Sequence, residues 1–345
     1  MIIYILIYIL LFLLSIHTYN RPCKVYLYLT GLFLILFAGL RGKNVSSDYS
    51  TYVEFFLDIK QQGELNLISL VEPSFIIISY LLPTVRAVMI VFALFAVSIK
   101  LYAINTMTPF VFFSITLLFS SFFLVQEMNQ IRAAVATGIL LLSIPSILDK
   151  KLFSFCVIII VAMLFHYSAI VFFPLYFLSN SKIQRFYFLV IPAAYLLNLL
   201  GIGFLDILKH IHINFVESKL EAYNELYSMG MYTKINIYNP IVILRIAIIY
   251  TLMANSKQLS LKNRYFIVLM KSYVISITVL VLFSNLPVFS LRVSDIFGIV
   301  EILLIPFFFY IYKPKSLIVL FIFLFSSLIL CIDLFYNKFL NPYTL

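Results

Sequence analysis

The chain has 345 residues, 63% of them hydrophobic and only 11% charged, with a formal net charge of +10. A soluble domain carries roughly 25% charged residues, so this composition excludes one and calls for membrane-spanning helices, which satisfy their own backbone hydrogen bonds in lipid. The same numbers argue against a β-barrel, because the apolar runs are continuous rather than alternating, and against nucleic acid as a partner, because the basic residues are scattered through short connections as membrane-loop charges are.

A span needs about 20 apolar residues. In chain order the apolar runs are 2–18, 24–40, 86–104, 109–126, 130–148, 152–165, 167–179, 186–205, 239–254, 265–286, 292–312 and 316–334. The first lacks the basic start and small-residue cleavage site of a signal peptide and reads as a retained helix. Segment 72–83 is short, ends in Pro83, and reads as a re-entrant or interfacial piece. The fold expected is therefore all-α: one polytopic integral membrane domain over 1–345, with about 12 transmembrane helices and a re-entrant segment.

Positive charge sets the orientation. Arg21 with Lys24, Lys100, Lys150 with Lys151, Lys182 with Arg185, Lys257 with Lys262 and Arg264, and Lys313 with Lys315 all fall on one side, which is then the cytoplasm. The opposite side receives two longer loops, about 41–71 and 206–238. The first carries Asp48, Glu54, Asp58 and Glu64 against Arg41, Lys43 and Lys60. Two joints have alternatives: 152–165 and 167–179 as one kinked helix, or 72–83 as a full crossing. Either alone inverts everything downstream and puts the basic loops outside.

Charged and polar residues then gather at the ends of apolar runs on the outer side. Arg41 opens the first long loop and is placed to face a phosphate. Asp48 reads either as the N-cap of a short amphipathic helix over 49–60 or as a group orienting a sugar hydroxyl or an Arg. Glu72, before Pro73, is biased away from helical geometry. It suits either a helix N-terminus, where the dipole favours a carboxylate, or a general base. In Gln126-Glu127-Met128-Asn129-Gln130-Ile131-Arg132, Glu127, Gln130 and Arg132 lie close to a helix start. An Arg there can grip a diphosphate in the bidentate manner a Lys cannot. His166 sits at the sharpest break in the stretch from 152 to 179, as a structural residue or as an acid–base group. Arg292 and Asp295 open a late span, at a spacing that also lets them pair with each other. Glu301, deep in that span, needs a partner or a water-filled cavity, and Arg245, inside 239–254, is the candidate. Cys23, Cys156 and Cys331 are far apart and give neither a disulfide framework nor a metal spacing. No second His lies near His166, so no metal or other cofactor is expected.

At these residues the chain resembles the EpsG family of bacterial membrane proteins, related in role to the Wzy polymerases of O-antigen, capsule and exopolysaccharide. The resemblance runs through Arg41-Gly42, Val45-Ser46-Ser47-Asp48 and Tyr52, then Glu72-Pro73-Ser74-Phe75, Ile131-Arg132-Ala133-Ala134, Phe165-His166-Tyr167-Ser168-Ala169, Arg292 and Pro342-Tyr343. Ser46 and Ser47 stand where Gly and Thr are usual, and Ala133 where Gln is common. The resemblance implies a polymerase in the inner membrane of a bacterium, with its active site facing the periplasm. It would join oligosaccharide repeat units carried on undecaprenyl diphosphate. Arg41, Arg132 and Arg292, with Gln130 and Asp295, would bind diphosphate and sugar; Glu72, Asp48 and His166 are the candidates for the base. The partners implied are the lipid-linked oligosaccharides and membrane lipids, with a chain-length regulator and a flippase beside them. The alternatives are a ligase moving finished glycans to another acceptor, a flippase for the same lipid-linked units, and a non-catalytic scaffold. A flippase would show internal repeats and midplane charges, and the sequence shows mostly one-sided charge.

Overall fold

The computed structural model describes residues 1–19, 23–62, 71–200 and 235–345. Arg21, Glu64 and nearly all of the loop 206–238 lie outside the described residues. Among those described the secondary structure is helical, apart from an isolated antiparallel bridge between Ser46 and Leu340.

The opening helices are α1 (Ile2–Thr18), α2 (Lys24–Gly39), α3 (Tyr49–Gln62), α4 (Pro73–Leu81), α5 (Val85–Met107), α6 (Val111–Leu118), α7 (Ile131–Leu148), α8 (Leu152–Phe165) and α9 (Tyr187–Leu199). Local chemistry sets several starts. Proline occupies the first turn of α4 and of the helices Pro240–Ala254 and Pro287–Gly298, where its missing N–H costs nothing. Thr84 accepts from Ala87 N at 3.2 Å to cap α5, and Asn239 caps Pro240–Ala254 by accepting from Ile241 N at 2.9 Å. Between α6 and α7 the chain widens into a π-turn over Phe119–Phe123 and then leaves helical geometry until Ile131.

Among the described residues, four helices are long and apolar enough to cross a membrane: Val85–Met107, Ile131–Leu148, Pro287–Ile311 and Lys315–Tyr336. A fifth is added if Pro240–Ala254 and Ser256–Lys262, bent by 76°, form one span. The sequence suggests about 12 spans; seven further apolar stretches carry helices of 10–17 residues. The class, an all-helical membrane protein, is as expected.

The chain packs as two compact units, Met1–Phe177 with Ile302–Leu345, and Leu178–Glu301. In the first, Phe75, Phe92, Phe113, Phe119 and Phe123 are buried to within 1% exposure. Helices α2 and α5 approach backbone to backbone: a Cβ on Gly39 would stand 2.8 Å from Ile90 Cα, the small-residue contact that lets membrane helices pack closely. In the second unit, Leu252, Phe266, Leu269, Met270 and Tyr273 form the interior.

One orienting charge is misplaced by the sequence reading. Lys100 is not a loop residue. It is fully buried within α5, which continues to Met107, and its Nζ lies 2.6 Å from Glu127 Oε1 and 2.7 Å from Gln126 Oε1. The partners come from the non-helical stretch before α7, so only the tertiary fold makes this lysine internal. Deep charge is also commoner than expected, since Lys271 is buried in Phe266–Leu282. The expected partnership of Arg245 and Glu301 is present, at 2.7 Å, and Tyr273 donates its hydroxyl to the same carboxylate at 2.5 Å.

Candidate functional site

Three of the residues singled out in the sequence meet in the first unit. Glu72 occupies the N-cap of α4 with extended backbone (φ −65°, ψ 143°), as a residue before proline should. Its side chain makes no cap hydrogen bond, so both carboxylate oxygens are available to other elements. Oε2 receives the guanidinium of Arg132, from the first turn of α7. Oε1 lies 2.8 Å from Nδ1 of His166, the residue that ends α8. His166 is itself extended (φ −156°, ψ 114°), and a 3-10 helix begins after it at Tyr167, so the expected break is real and separates two helices.

The cluster is largely buried, with Glu72 the least exposed of the three. Side-chain exposure is 5% for Glu72, 16% for His166 and 21% for Arg132. Burial alone would raise the Glu72 carboxyl; the hydrogen bond with His166 and the charge of Arg132 outweigh it and hold the group below its usual range. An ionised carboxylate only accepts, so the imidazole nitrogen facing it carries the proton. In the neutral ring Nε2 is then left as an acceptor.

Arg132 is further held by aromatic faces. Its guanidinium carbon stands 5.6 Å from the ring centres of Tyr52 and Phe55 and 5.9 Å from that of Phe75. Such cation–ring contacts orient the planar group as well as attract it. Tyr52 and Phe55 come from α3, the amphipathic helix after Asp48, and Phe75 from α4. Burial raises the Tyr52 hydroxyl against the lowering influence of Arg132; Asp48 and Arg41 also act on it. Tyr52 thus joins the Arg132 cluster to the loop 41–48.

In that loop Asp48 stands at the N-cap position of α3, its carbonyl accepting from Tyr52 N at 3.1 Å, and its side chain is half-buried. Arg41 departs from expectation. It does not face the surface but is 1% exposed, the bulkiest of the fully buried side chains. Its N–H groups reach Ala38 O at 2.5 Å, Ser46 Oγ at 3.5 Å and Met89 Sδ at 3.6 Å, and the Tyr49 ring centre is 5.9 Å away. Burial pushes Arg41 down to about 10, which leaves it charged at neutral pH. Gln130, at the N-cap of α7, is half-buried two residues from Arg132. Its neighbour Asn129 donates to Phe339 O at 2.9 Å and accepts from Ser47 Oγ at 3.4 Å, joining this turn to the first loop.

Arg292 and Asp295 lie in the second unit, on Pro287–Gly298, and are not among the groups that the first unit brings together; Arg292 is exposed and Asp295 half-buried. Sequence reasoning assigned no role to Phe55, Asn129 or the backbone of residues 340–345. Tyr52 and Phe75 did stand in quoted motifs, but as landmarks. Among the described residues no group of three or more His, Cys, Asp or Glu is arranged to hold a metal ion.

The EpsG family model matches residues 24–345, so the chain belongs to the EpsG family. Among curated proteins it is similar to the amylovoran biosynthesis protein AmsC of Erwinia amylovora, 25% identical over 325 residues, which cover 87% of this chain and 83% of that one. No solved structure matches.

Proposed function

We propose that this member of the EpsG family is a polysaccharide polymerase of the bacterial inner membrane. It joins oligosaccharide repeat units carried on undecaprenyl diphosphate, at the periplasmic face. The family and the similarity to an amylovoran biosynthesis protein support the class. The observation that carries the chemistry is the single carboxylate of Glu72 shared between His166 and Arg132.

The reaction forms one glycosidic bond and breaks one sugar–diphosphate bond. An acceptor hydroxyl attacks the anomeric carbon of the donor sugar, and the lipid diphosphate departs with the bonding electrons. His166 Nε2 takes the hydroxyl proton, while the Nδ1 proton stays on its hydrogen bond to Glu72. The carboxylate steadies the imidazolium that forms, the role of the acid in a hydrolase triad. Glu72 is therefore a positioning group and His166 the base, which narrows the three candidates. Asp48, at the N-cap of α3, acts on Tyr52 rather than on the His166–Glu72 pair. Arg132, half-neutralised by Glu72 and stacked on rings, presents its remaining donors to the leaving diphosphate, with Arg41 of the same unit as a further cation. Gln130, two residues from Arg132, remains as a sugar-binding group. Holding two lipid-anchored substrates end to end contributes through orientation.

The test replaces the chromosomal gene with His166→Ala and Arg132→Ala alleles, verifies protein level, and runs the surface glycan on a gel. The expected result is loss of the ladder with single repeat units retained. A normal ladder removes the assigned roles. Loss of single units as well would instead fit a flippase, or a ligase if they accumulate unattached on the outer face.

A further inference from the structure

Arg41 is a buried cation whose partners are all neutral. Lys100, Arg132 and Arg245 each have a carboxylate: Glu127, Glu72 and Glu301. Arg41 has a carbonyl, a hydroxyl at the limit of hydrogen bonding, a thioether and an aromatic face, and no carboxylate within ion-pair distance among the described residues. A charge taken out of water without a counter-charge is costly, so an anion delivered to this guanidinium would be strongly favoured.

What lies over the loop that carries Arg41 is the segment Leu340–Leu345. Gly42 N donates to Thr344 O at 2.7 Å, and Asn341 N to Val45 O at 2.9 Å. Asn341 Nδ2 donates to Asn44 O at 2.8 Å, and Leu340 bridges Ser46. Tyr343 stacks on Phe37 with ring centres 4.3 Å apart and donates its hydroxyl to Phe37 O at 3.0 Å. Glycine at 42 suits this close approach: a Cβ there would stand 2.5 Å from Thr344 Oγ1 and 3.2 Å from Thr344 O. The Tyr343 hydroxyl also lies in the field of Arg41. Leu340 is buried and anchors the segment; beyond it Asn341, Pro342, Thr344 and Leu345 are exposed and Tyr343 is half-buried, so this part is held mainly by hydrogen bonds and the Tyr343 stack. Segments with few buried apolar contacts open at low free-energy cost.

We propose that Arg41 is an anion site closed by the strap Leu340–Leu345, which lifts to admit a diphosphate and closes again behind it. That the diphosphate is the lipid carrier's rests on the polymerase reading above; the site and its strap do not. The resting protein thereby keeps a strong cation out of water and away from bulk phosphate, and exposes it only when a ligand engages the loop.

The test uses the full-length protein in detergent, with Cys23, Cys156 and Cys331 replaced by Ser and with Asn44→Cys and Asn341→Cys introduced across the strap. Inorganic pyrophosphate is the probe, titrated calorimetrically before and after oxidation of the pair. Oxidation should weaken pyrophosphate binding at least about tenfold, reversibly on reduction. Arg41→Gln should weaken the reduced protein by a similar factor, the loss expected for a charge-assisted contact, while Arg41→Lys retains part of it. Equal affinity in the oxidised and reduced forms overturns the strap. An Arg41→Gln protein that folds, by its elution and melting profile, and binds as before overturns the site, as does a reduced protein that binds no pyrophosphate. None of these results touches the roles of Glu72, His166 and Arg132 in polymerisation, which the glycan ladder decides.

Discussion

Glu72 and His166, 94 positions apart, meet at 2.8 Å, and the other oxygen of the same carboxylate receives Arg132. A general base contributes about 10²–10⁴-fold to a rate, so His166→Ala should lower in-vitro polymerisation of lipid-linked substrate by that range. Glu72→Gln should cost less than His166→Ala, because Nε2 remains. The double variant should be no slower than His166→Ala alone, since groups acting as one unit do not add. Additive losses in initial rate would mean that Glu72 acts independently of His166.

Arg132 depends on planarity as well as charge. Lysine at this position keeps the charge but loses the fork and the stacking on Tyr52 and Phe55, both 5.6 Å away. Arg132→Lys should reduce kcat/KM at least about tenfold with protein level unchanged. Near-normal kcat/KM in that variant would reduce Arg132 to a point charge.

The helices were readable because apolar runs bounded by Pro, Gly and charge leave few alternatives in lipid. The break at His166 and the short helix after Glu72 were readable for the same reason. What the sequence hid is pairing through space. Lys100 looks like a loop charge because a helix end and a buried lysine share the same local pattern; only Glu127 and Gln126, brought from another segment, make it internal. Arg41 reads as a phosphate ligand on residue type, yet it is buried against Ala38, Ser46, Met89 and Tyr49, a set of neutral partners with no signature in the sequence. Glu72 stands in the sequence as one of three candidates for the base, and that its two oxygens meet His166 and Arg132 is a pairing no local pattern displays.

The depressed carboxyl of Glu72 sets a pH signature. A group whose folded value lies below its unfolded one stabilises fully above the unfolded value, about 4.3 for Glu, and loses that contribution as pH falls through the lower folded value. The difference in melting temperature between the wild type and Glu72→Gln in detergent should therefore hold steady from pH 8 to pH 5 and shrink only below that. A difference already closing between pH 7 and pH 6 would show that the carboxyl is raised.

Asn44 is exposed in the first loop and Leu261, 88% exposed, follows the bend after Ala254. Leu261 serves better than Leu259, which is fully buried. In the proposed orientation, a cysteine at 44 reacts with a membrane-impermeant maleimide applied from the periplasm and one at 261 does not. Labelling at 261 but not at 44 would put the Glu72 cluster on the cytoplasmic side.

Lys100 and Glu127 form a fully buried pair at 2.6 Å, with Gln126 accepting from the same ammonium and from Thr137 at 2.9 Å. Removing one member leaves a charge in a dry interior, at a cost of about 3–5 kcal/mol, while replacing both with apolar residues of similar volume is often neutral. Lys100→Met should accordingly lower the melting temperature sharply, and Lys100→Met with Glu127→Met should recover most of the loss. The recovery separates electrostatic compensation from packing, because the double variant changes more atoms than the single one. Polymer formation by the double variant then tells whether the pair has a second task. It pins the non-helical turn that ends at Gln130, just before Arg132, and a stable but inactive double variant would mean that this pinning sets the aim of the guanidinium. A double variant no more stable than Lys100→Met would show instead that the lysine stem fills a space methionine cannot.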